Sequence, residues 1–379
     1  MSNALRKWLT TRAWPLWLQH GVDWQAGAFN ESLTLDGYRS TASFRRLRVL
    51  ARQIYVFSRA ASHGLVGAEA AVDLGLTFLL RRARQPDGGY AWRFNLAGEV
   101  IDDRRDLYDH AFVLLALASV AYIRPDAALH QAALELDAFI TTHLRHATEG
   151  FGESIPPSLP RRQNPHMHLL EACLAAAECF GDERFLARAQ ELITLFTERL
   201  WDRETGTLPE YFSNDLIRET AGGRHVWEPG HHCEWIWLLD WYERLAGKAR
   251  LEEISQRLWQ NVKTCGLTGP GGALLDEVWS DGTAKTLSSR LWPQVERLKS
   301  GLILHGGALQ ERARAEAALW PYLREDGLWY EYQGPDGEFA TDLAPASSLY
   351  HLTSGILFRL RFGAHPNSPP SDVLSVTFP

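Results

Sequence analysis

An all-α fold, an (α/α)6 barrel of twelve helices in six hairpins, is predicted for this 379-residue chain by three observations. A glycine-bearing loop recurs at near-regular intervals, the stretches between loops carry helical periodicity, and prolines mark a recurring helix start. The loops are WQAGAF (Gly27), QPDGGY (Gly88), TEGFGE (Gly150), ETGTLPEY (Gly206), GPGGALLDE (Gly271) and REDGLWY (Gly327), at successive intervals of 61, 62, 56, 65 and 56 residues. Six such units fill the chain. Neither end carries a polar capping unit, which favours a closed ring over an open superhelical solenoid.

Each unit has room for two helices. The first members are expected at 4–20, 67–85, 126–144, 182–200, 250–266 and 308–323, with apolar residues three and four apart, as in Ala70, Leu74 and Phe78 or Leu186, Ala189, Ile193 and Phe196. The second members are expected at 40–63, 105–122, 165–180, 229–246, 292–305 and 346–362. Pro165, Pro229, Pro293 and Pro345 stand at or just before four of these starts, where a missing N–H would have no partner anyway. Asn164 reads as a helix N-cap. Because each second member follows a glycine loop, closure gathers loops and helix N-termini around one mouth. Residues 365–379, rich in Pro and Ser, read as a surface tail of one catalytic domain spanning 1–379.

Composition narrows the function. With 45% apolar and 22% charged residues the chain is an ordinary globular one, and its net charge of -7 argues against nucleic-acid or anionic-membrane partners. The longest apolar stretch, Phe112 to Tyr122, is eleven residues, too short for a bilayer span. There is no signal-like N-terminal segment and no CxxC pair among four cysteines, so a cytoplasmic protein is expected. Fifteen Trp and fourteen His are unusual counts that suit a carbohydrate site, although helix packing accounts for most of the Trp.

Polar residues cluster in the first turns of the second members. They are Asn164, His166, His168 and Glu171 in NPHMHLLEA, and His231, His232 and Glu234 in EPGHHCEW. Trp292 and Glu296 lie in WPQVERLK, His351 in SLYHL, Tyr108, Asp109 and His110 in LYDHAF, and Arg52 in ARQIYVFS. Singly, each has a structural explanation as a cap or a satisfied core residue. Six units placing polar groups at one level point to a shared site. No metal is expected: HExxH is absent, and adjacent His231 and His232 diverge by ~100° on a helix. Nucleotide-binding and nucleophile-elbow motifs are also absent.

The segments ARQIYVFS, YDHAFVLLA, NPHMHLLEA, EPGHHCEW, WPQVERLK and SLYHL resemble the N-acylglucosamine 2-epimerase family, over about residues 4 to 362. That family contains mannose isomerases, a sulfosugar isomerase, cellobiose 2-epimerases and N-acetylglucosamine 2-epimerase. The resemblance implies an (α/α)6 barrel and proton transfer at carbon 2 of a reducing monosaccharide by two histidines, with no cofactor. Motif by motif, it implies that His231 and His351 are catalytic, that His168 binds substrate or opens its ring, and that Arg52 binds the sugar. It implies that Glu234 orients His231, and that Tyr108, Asn164 and Trp292 contact substrate, with Asp109, His110 and Glu296 beside them. The mannose isomerase branch is the most similar, giving mannose–fructose interconversion as the expected reaction and 2-epimerisation as the alternative. Few arginines lie near the helix starts, so a neutral sugar is expected over a phosphate, with Arg224 as the one cation placed to meet a charged group. A monomer or homodimer is expected. A glycoside hydrolase using Glu234 and Glu296, or a non-catalytic binding protein, are the rivals from other classes.

Overall fold

The computed structural model describes residues 2–247, 251–304, 309–340 and 342–363. Twelve helices are present among them. The outer set is α1 (2–21), α3 (68–83), α5 (127–144), α7 (183–200), α9 (252–266) and α11 (Leu309–Leu319). The inner set is α2 (Leu47–Ser62), α4 (Leu107–Ile123), α6 (Gln163–Phe180), α8 (Pro229–Ala246), α10 (Leu291–Leu304) and α12 (Ala346–Gly363). Each inner helix packs against the next, and α12 packs back on α2, closing the ring. The expected tail at 365–379 lies outside the described residues.

Most inner helices are covered nearly all round, so their sequences lack the one-sided apolar stripe of a surface helix, α2 being the exception. In α4 fourteen of seventeen residues are buried. Asp126 and Asp182 cap outer helices α5 and α7 through the amides of Ala128 and Arg184. Gly181 and Gly247 end α6 and α8 at φ 63° and 66°, a left-handed turn that residues with a Cβ resist. Most outer helices widen into a π turn at their last five residues before the loop crosses to the mouth.

Closure is completed by a feature too short to carry sequence periodicity. The two or three residues before each inner helix pair, antiparallel, with the loop of the next unit: Phe44–Arg46 with Arg93–Asn95, Arg161–Arg162 with Tyr211–Phe212, Val226–Trp227 with Val278–Trp279. The last pair joins the chain's two ends, Leu343–Pro345 on Ser32–Thr34. These ladders hold the mouth loops over the helix N-termini. They also shift the expected starts, since α2 begins at Leu47 rather than 40, and α6 at Gln163, which puts Asn164 inside the first turn. The N-cap position belongs to Arg162, whose amide is bound by the Glu153 carboxylate at 2.6 Å.

Counting from each inner start, positions 2, 6, 9 and 13 fall on one helical face. That face looks down the barrel axis. Position 6 gives Arg52, Phe112, His168, Glu234, Glu296 and His351; position 9 gives Tyr55, Leu115, Glu171, Trp237, Lys299 and Ser354. The axis is therefore stacked in polar layers inside an apolar wall.

Candidate active site

A cavity of about 240 Å³ sits at the N-terminal end of the inner helices. Arg52, Tyr108, Asn164, His168, His231, Glu234, Trp292 and His351 all line it, so eight of the fifteen residues singled out from sequence share one space. Gly230 is required beside it, because a Cβ there would lie 2.5 Å from the Trp292 ring. His231 and His351 flank that ring, with centroids 5.0 and 5.5 Å from it.

The two histidines are held in opposite charge states. His231 presents Nδ1 to both oxygens of Glu210 at 2.9 Å, with Glu228 3.8 Å away. Burial opposes its charge, but Glu210 and Glu228 outweigh burial and raise its pKa to about 9. Its Nε2 lies 3.1 Å from the Asn164 side-chain amide, whose oxygen, otherwise without a partner among the described residues, accepts from the charged ring once the amide is turned. His351 donates from Nδ1 to Glu296 at 2.8 Å, but burial, with Arg52 and Lys299 nearby, lowers its pKa to about 4. Glu296 also takes Lys299 Nζ at 2.6 Å and Trp237 Nε1 at 3.0 Å. Burial works against the Glu296 carboxylate, yet Lys299 and His351 hold its pKa down at about 2. At neutral pH His231 is a cation and a proton donor. His351 is neutral, with its Nε2 lone pair free to accept.

Between them lies a third pair. His168 Nδ1 meets Glu171 at 3.0 Å and Glu234 at 3.9 Å, and burial lowers its pKa to about 4. Neither Glu234 oxygen has a hydrogen-bond partner among the described residues, and burial next to Glu296 pushes its carboxyl well above the usual range. Burial thus biases Glu234 toward its protonated form. Arg52 donates to Tyr108 Oη at 2.6 Å and lies 4.1 Å over the Phe112 ring, held by aromatic faces rather than by a carboxylate.

Several expectations are corrected. Glu234 does not orient His231, since Glu210 does. Glu296 faces His351, Lys299 and Trp237 rather than the cavity. Asp109 is fully buried, accepts from the Arg48 amide at 2.8 Å and pairs with its guanidinium, tying α4 to α2. His110 is a loop clip. Its Nδ1 donates to the Asp106 carbonyl, and its Nε2 accepts from the Tyr90 amide. His166 and His232 accept the Phe151 and Leu208 amides in the same way. Burial keeps all three neutral, with pKa values of about 4, 4 and 3, as accepting at Nε2 demands. Gln294 does the same with Leu274. Arg224 stands outside the cavity, half-exposed, paired with Asp281 at 3.1 Å.

The sequence reading missed Glu210, Glu228, Arg290 and Lys299. A signal for Glu210 was present. Glu31, Glu153, Glu210, Glu277 and Glu331 recur in ESL, ESI, EYF, EVW and EYQ, one in each unit except the second, each at the ladder before an inner helix. Glu31 and Glu153 bind the amide before α2 and α6, and Glu210 binds that of Glu228 while also taking His231. Metal-ligating atoms converge within 4.8 Å in three groups: His168, Glu171 and Glu234; Glu210, Glu228 and His231; Glu234, Glu296 and His351. In each, the histidine Nδ1 is bound to a carboxylate, which leaves Nε2 as the nitrogen open to an ion.

A profile of the N-acylglucosamine 2-epimerase (GlcNAc 2-epimerase) family matches residues 27–355. A mannose-6-phosphate isomerase of Rhizobium meliloti is 36% identical over 371 residues, covering 94% of this chain and 95% of that one. A cellobiose 2-epimerase of Bacteroides fragilis is 24% identical, covering 90% and 93%. The crystal structure of a D-mannose isomerase superposes with a TM-score of 0.85 at 20% identity, over 95% of this chain and 98% of that one. With the profile spanning most of the barrel and the first relative aligned nearly end to end, the chain belongs to the N-acylglucosamine 2-epimerase family.

Proposed function

We propose that this protein interconverts D-mannose and D-fructose by proton transfer between His351 and His231 through a cis-enediol(ate). The observation that carries the reading is the opposed charge of two histidines on one cavity, a neutral base and a charged acid at the same pH. His351 Nε2 takes the C2 proton of the open-chain aldose, and the C–H pair becomes the C1=C2 bond. His231 and Arg52 meet the negative charge that develops on the carbonyl oxygen, in a site that needs no reorganisation to do so. After exchange with solvent, protonated His351 delivers a proton to C1, and the O2 proton passes back to His231, which became neutral on protonating O1; the product is the ketose. Protonation of C2 on the opposite face, from the His231 side, would give the epimer, and the placement of the two rings about Trp292 keeps 2-epimerisation as the second reading. His168, with Glu234 biased by burial toward its protonated form, suits opening of the pyranose ring.

The cavity charges favour an uncharged sugar. Arg290 is neutralised by Glu228 at 3.0 Å and Asp276 at 2.9 Å, and Arg224 is outside, which leaves Arg52 as the lining cation with no acidic partner among the described residues. A phosphate would also face Glu228 and Glu331. A hydrolase reading loses its carboxylate pair, because Glu296 is sealed against Lys299. Among the described residues no helix is long and apolar enough to cross a membrane. Four unpaired cysteines are in keeping with a cytoplasmic enzyme, and we take the six hairpins as one catalytic unit. Proton NMR of D-mannose in D₂O tests the reading: fructose carrying deuterium at C1 is expected. Glucose as the first product would make the enzyme an epimerase, and turnover of mannose 6-phosphate alone would overturn the neutral-sugar assignment.

A further inference from the structure

The barrel axis continues below the histidine layer. A second cavity, of about 150 Å³, opens there toward the C-terminal ends of the inner helices, at the opposite end from the mouth loops. It is built mainly by positions 9 and 13 of the inner helices, the same axial face one to two turns further down. At its floor are Glu171 and Lys299, 3% and 1% exposed, with the hydroxyls of Ser119 and Ser354. Its wall carries Trp237 and Trp241, stacked with centroids 5.7 Å apart. Trp241 Nε1 is buried with no hydrogen-bond partner among the described residues.

Size and lining select one ligand class. A cavity of about 150 Å³ takes a single six-membered ring. A purely apolar ring would leave the Trp241 N–H without a partner, and would leave unused the Glu171 lone pairs beyond His168 and Tyr350 and the Lys299 proton beyond Glu296 and Ser354. An anion would meet Glu171 and the carbonyl ends of the inner helices, and a cation would meet Lys299, Arg59 and Arg244. An uncharged polyhydroxylated ring satisfies all of them. Its C–H face lies on the indoles, while its hydroxyls donate to Glu171 and accept from Lys299 and Trp241.

The floor is shared with the chemistry above. Glu171 holds His168 at 3.0 Å and also accepts from Tyr350. Lys299 holds Glu296 at 2.6 Å, which holds His351 at 2.8 Å. We propose that the lower cavity is a second binding site, for an uncharged monosaccharide, and that its occupancy changes the activity of the upper site through Glu171 and the Lys299–Glu296 pair. The regulatory half rests on the upper cavity being the sugar site; the binding half does not.

Crystals of the full chain soaked in D-mannose or D-fructose, with kinetics on the same protein, test it. A hexose ring against Trp237 and Trp241 is expected in addition to one in the upper cavity. Ala175→Phe fills the lower cavity from α6 without reaching the upper one. It should remove the lower ring and the departure from simple saturation at high sugar, a change of about fivefold or more in apparent affinity, while keeping the rate at low sugar. Ser119→Leu repeats the test from α4 should the first variant not fold. A lower cavity that stays empty, or takes only an apolar additive, overturns the site. Identical kinetics in wild type and filled variants overturn the coupling. A ring below with none above would defeat the functional reading and leave the site standing.

Discussion

Replacing Glu210 by Gln isolates the charge that makes His231 an acid. The substitution keeps shape and an accepting oxygen for His231 Nδ1, now 2.9 Å away, and removes only the negative charge. At that separation two unit charges interact by roughly 6 kcal/mol at an effective dielectric near 20, equivalent to about four pH units at 1.36 kcal/mol each. Glu228, 3.8 Å from the same nitrogen, remains and limits the fall. The His231 pKa should then drop from about 9 by about two to three units, toward 6.5. The sign follows from its role. An acid works below its pKa, so the wild-type enzyme should lose kcat/KM as pH rises through about 9, and Glu210→Gln should lose it near 6.5. At pH 8 the protonated fraction falls from about nine-tenths to a few per cent, a loss of roughly thirtyfold, while at pH 6 the two enzymes differ by less than about twofold. The assay is kcat/KM for mannose against pH, with fructose followed by NMR. An alkaline limb that does not move in Glu210→Gln, or that moves instead in Glu234→Gln, would refute the assignment of Glu210 as the partner of His231.

Other outcomes follow from the same geometry. The acid limb of the wild-type profile should lie near 4, where His351 becomes protonated and stops accepting, giving a broad plateau between about 4 and about 9. Arg52→Lys keeps a charge but loses the planar fork that rests on Phe112 and reaches both Tyr108 and the Ser347 carbonyl, so turnover should fall by at least about tenfold with thermal stability within ~1 kcal/mol. Near-normal kinetics would mean that Arg52 only packs. Dialysis against a chelator should leave the rate unchanged. Loss restored by one divalent ion would make His168, Glu171 and Glu234 ligands instead of an acid–base pair.

The ring was legible because it repeats. Glycine loops, proline-marked starts and helical periodicity are each weak alone, but six copies at similar spacing define the hairpins. The ladders that close the ring were not legible, because strands of two or three residues such as Val226–Trp227 have no period to detect. At the site, helix-borne residues were found because they break an apolar face: His231, His351, His168, Arg52, Trp292. The same rule over-reached at His110 and Asp109, which interrupt the apolar run for structural reasons, clipping a loop and tying two helices. Glu210 escaped because a loop glutamate is ordinary when considered alone. Only its recurrence with Glu31 and Glu153 shows that it belongs to the framework, and only the third dimension shows that in its unit the framework glutamate also grips the His231 imidazole. The family resemblance implied Glu234 as the partner of His231, whereas the fold turns Glu234 toward His168 at the layer below.

The central claim is that His351 removes the C2 proton and His231 supplies the acid. Exchange measured with [2-²H]-D-mannose in water, followed by NMR in His351→Asn and His231→Asn, tests it most directly. The account predicts that His351→Asn neither washes out the C2 deuteron nor forms fructose, while His231→Asn still exchanges the deuteron but forms little ketose. Exchange in His351→Asn with none in His231→Asn would reverse the roles, and full isomerisation by either variant would contradict the mechanism.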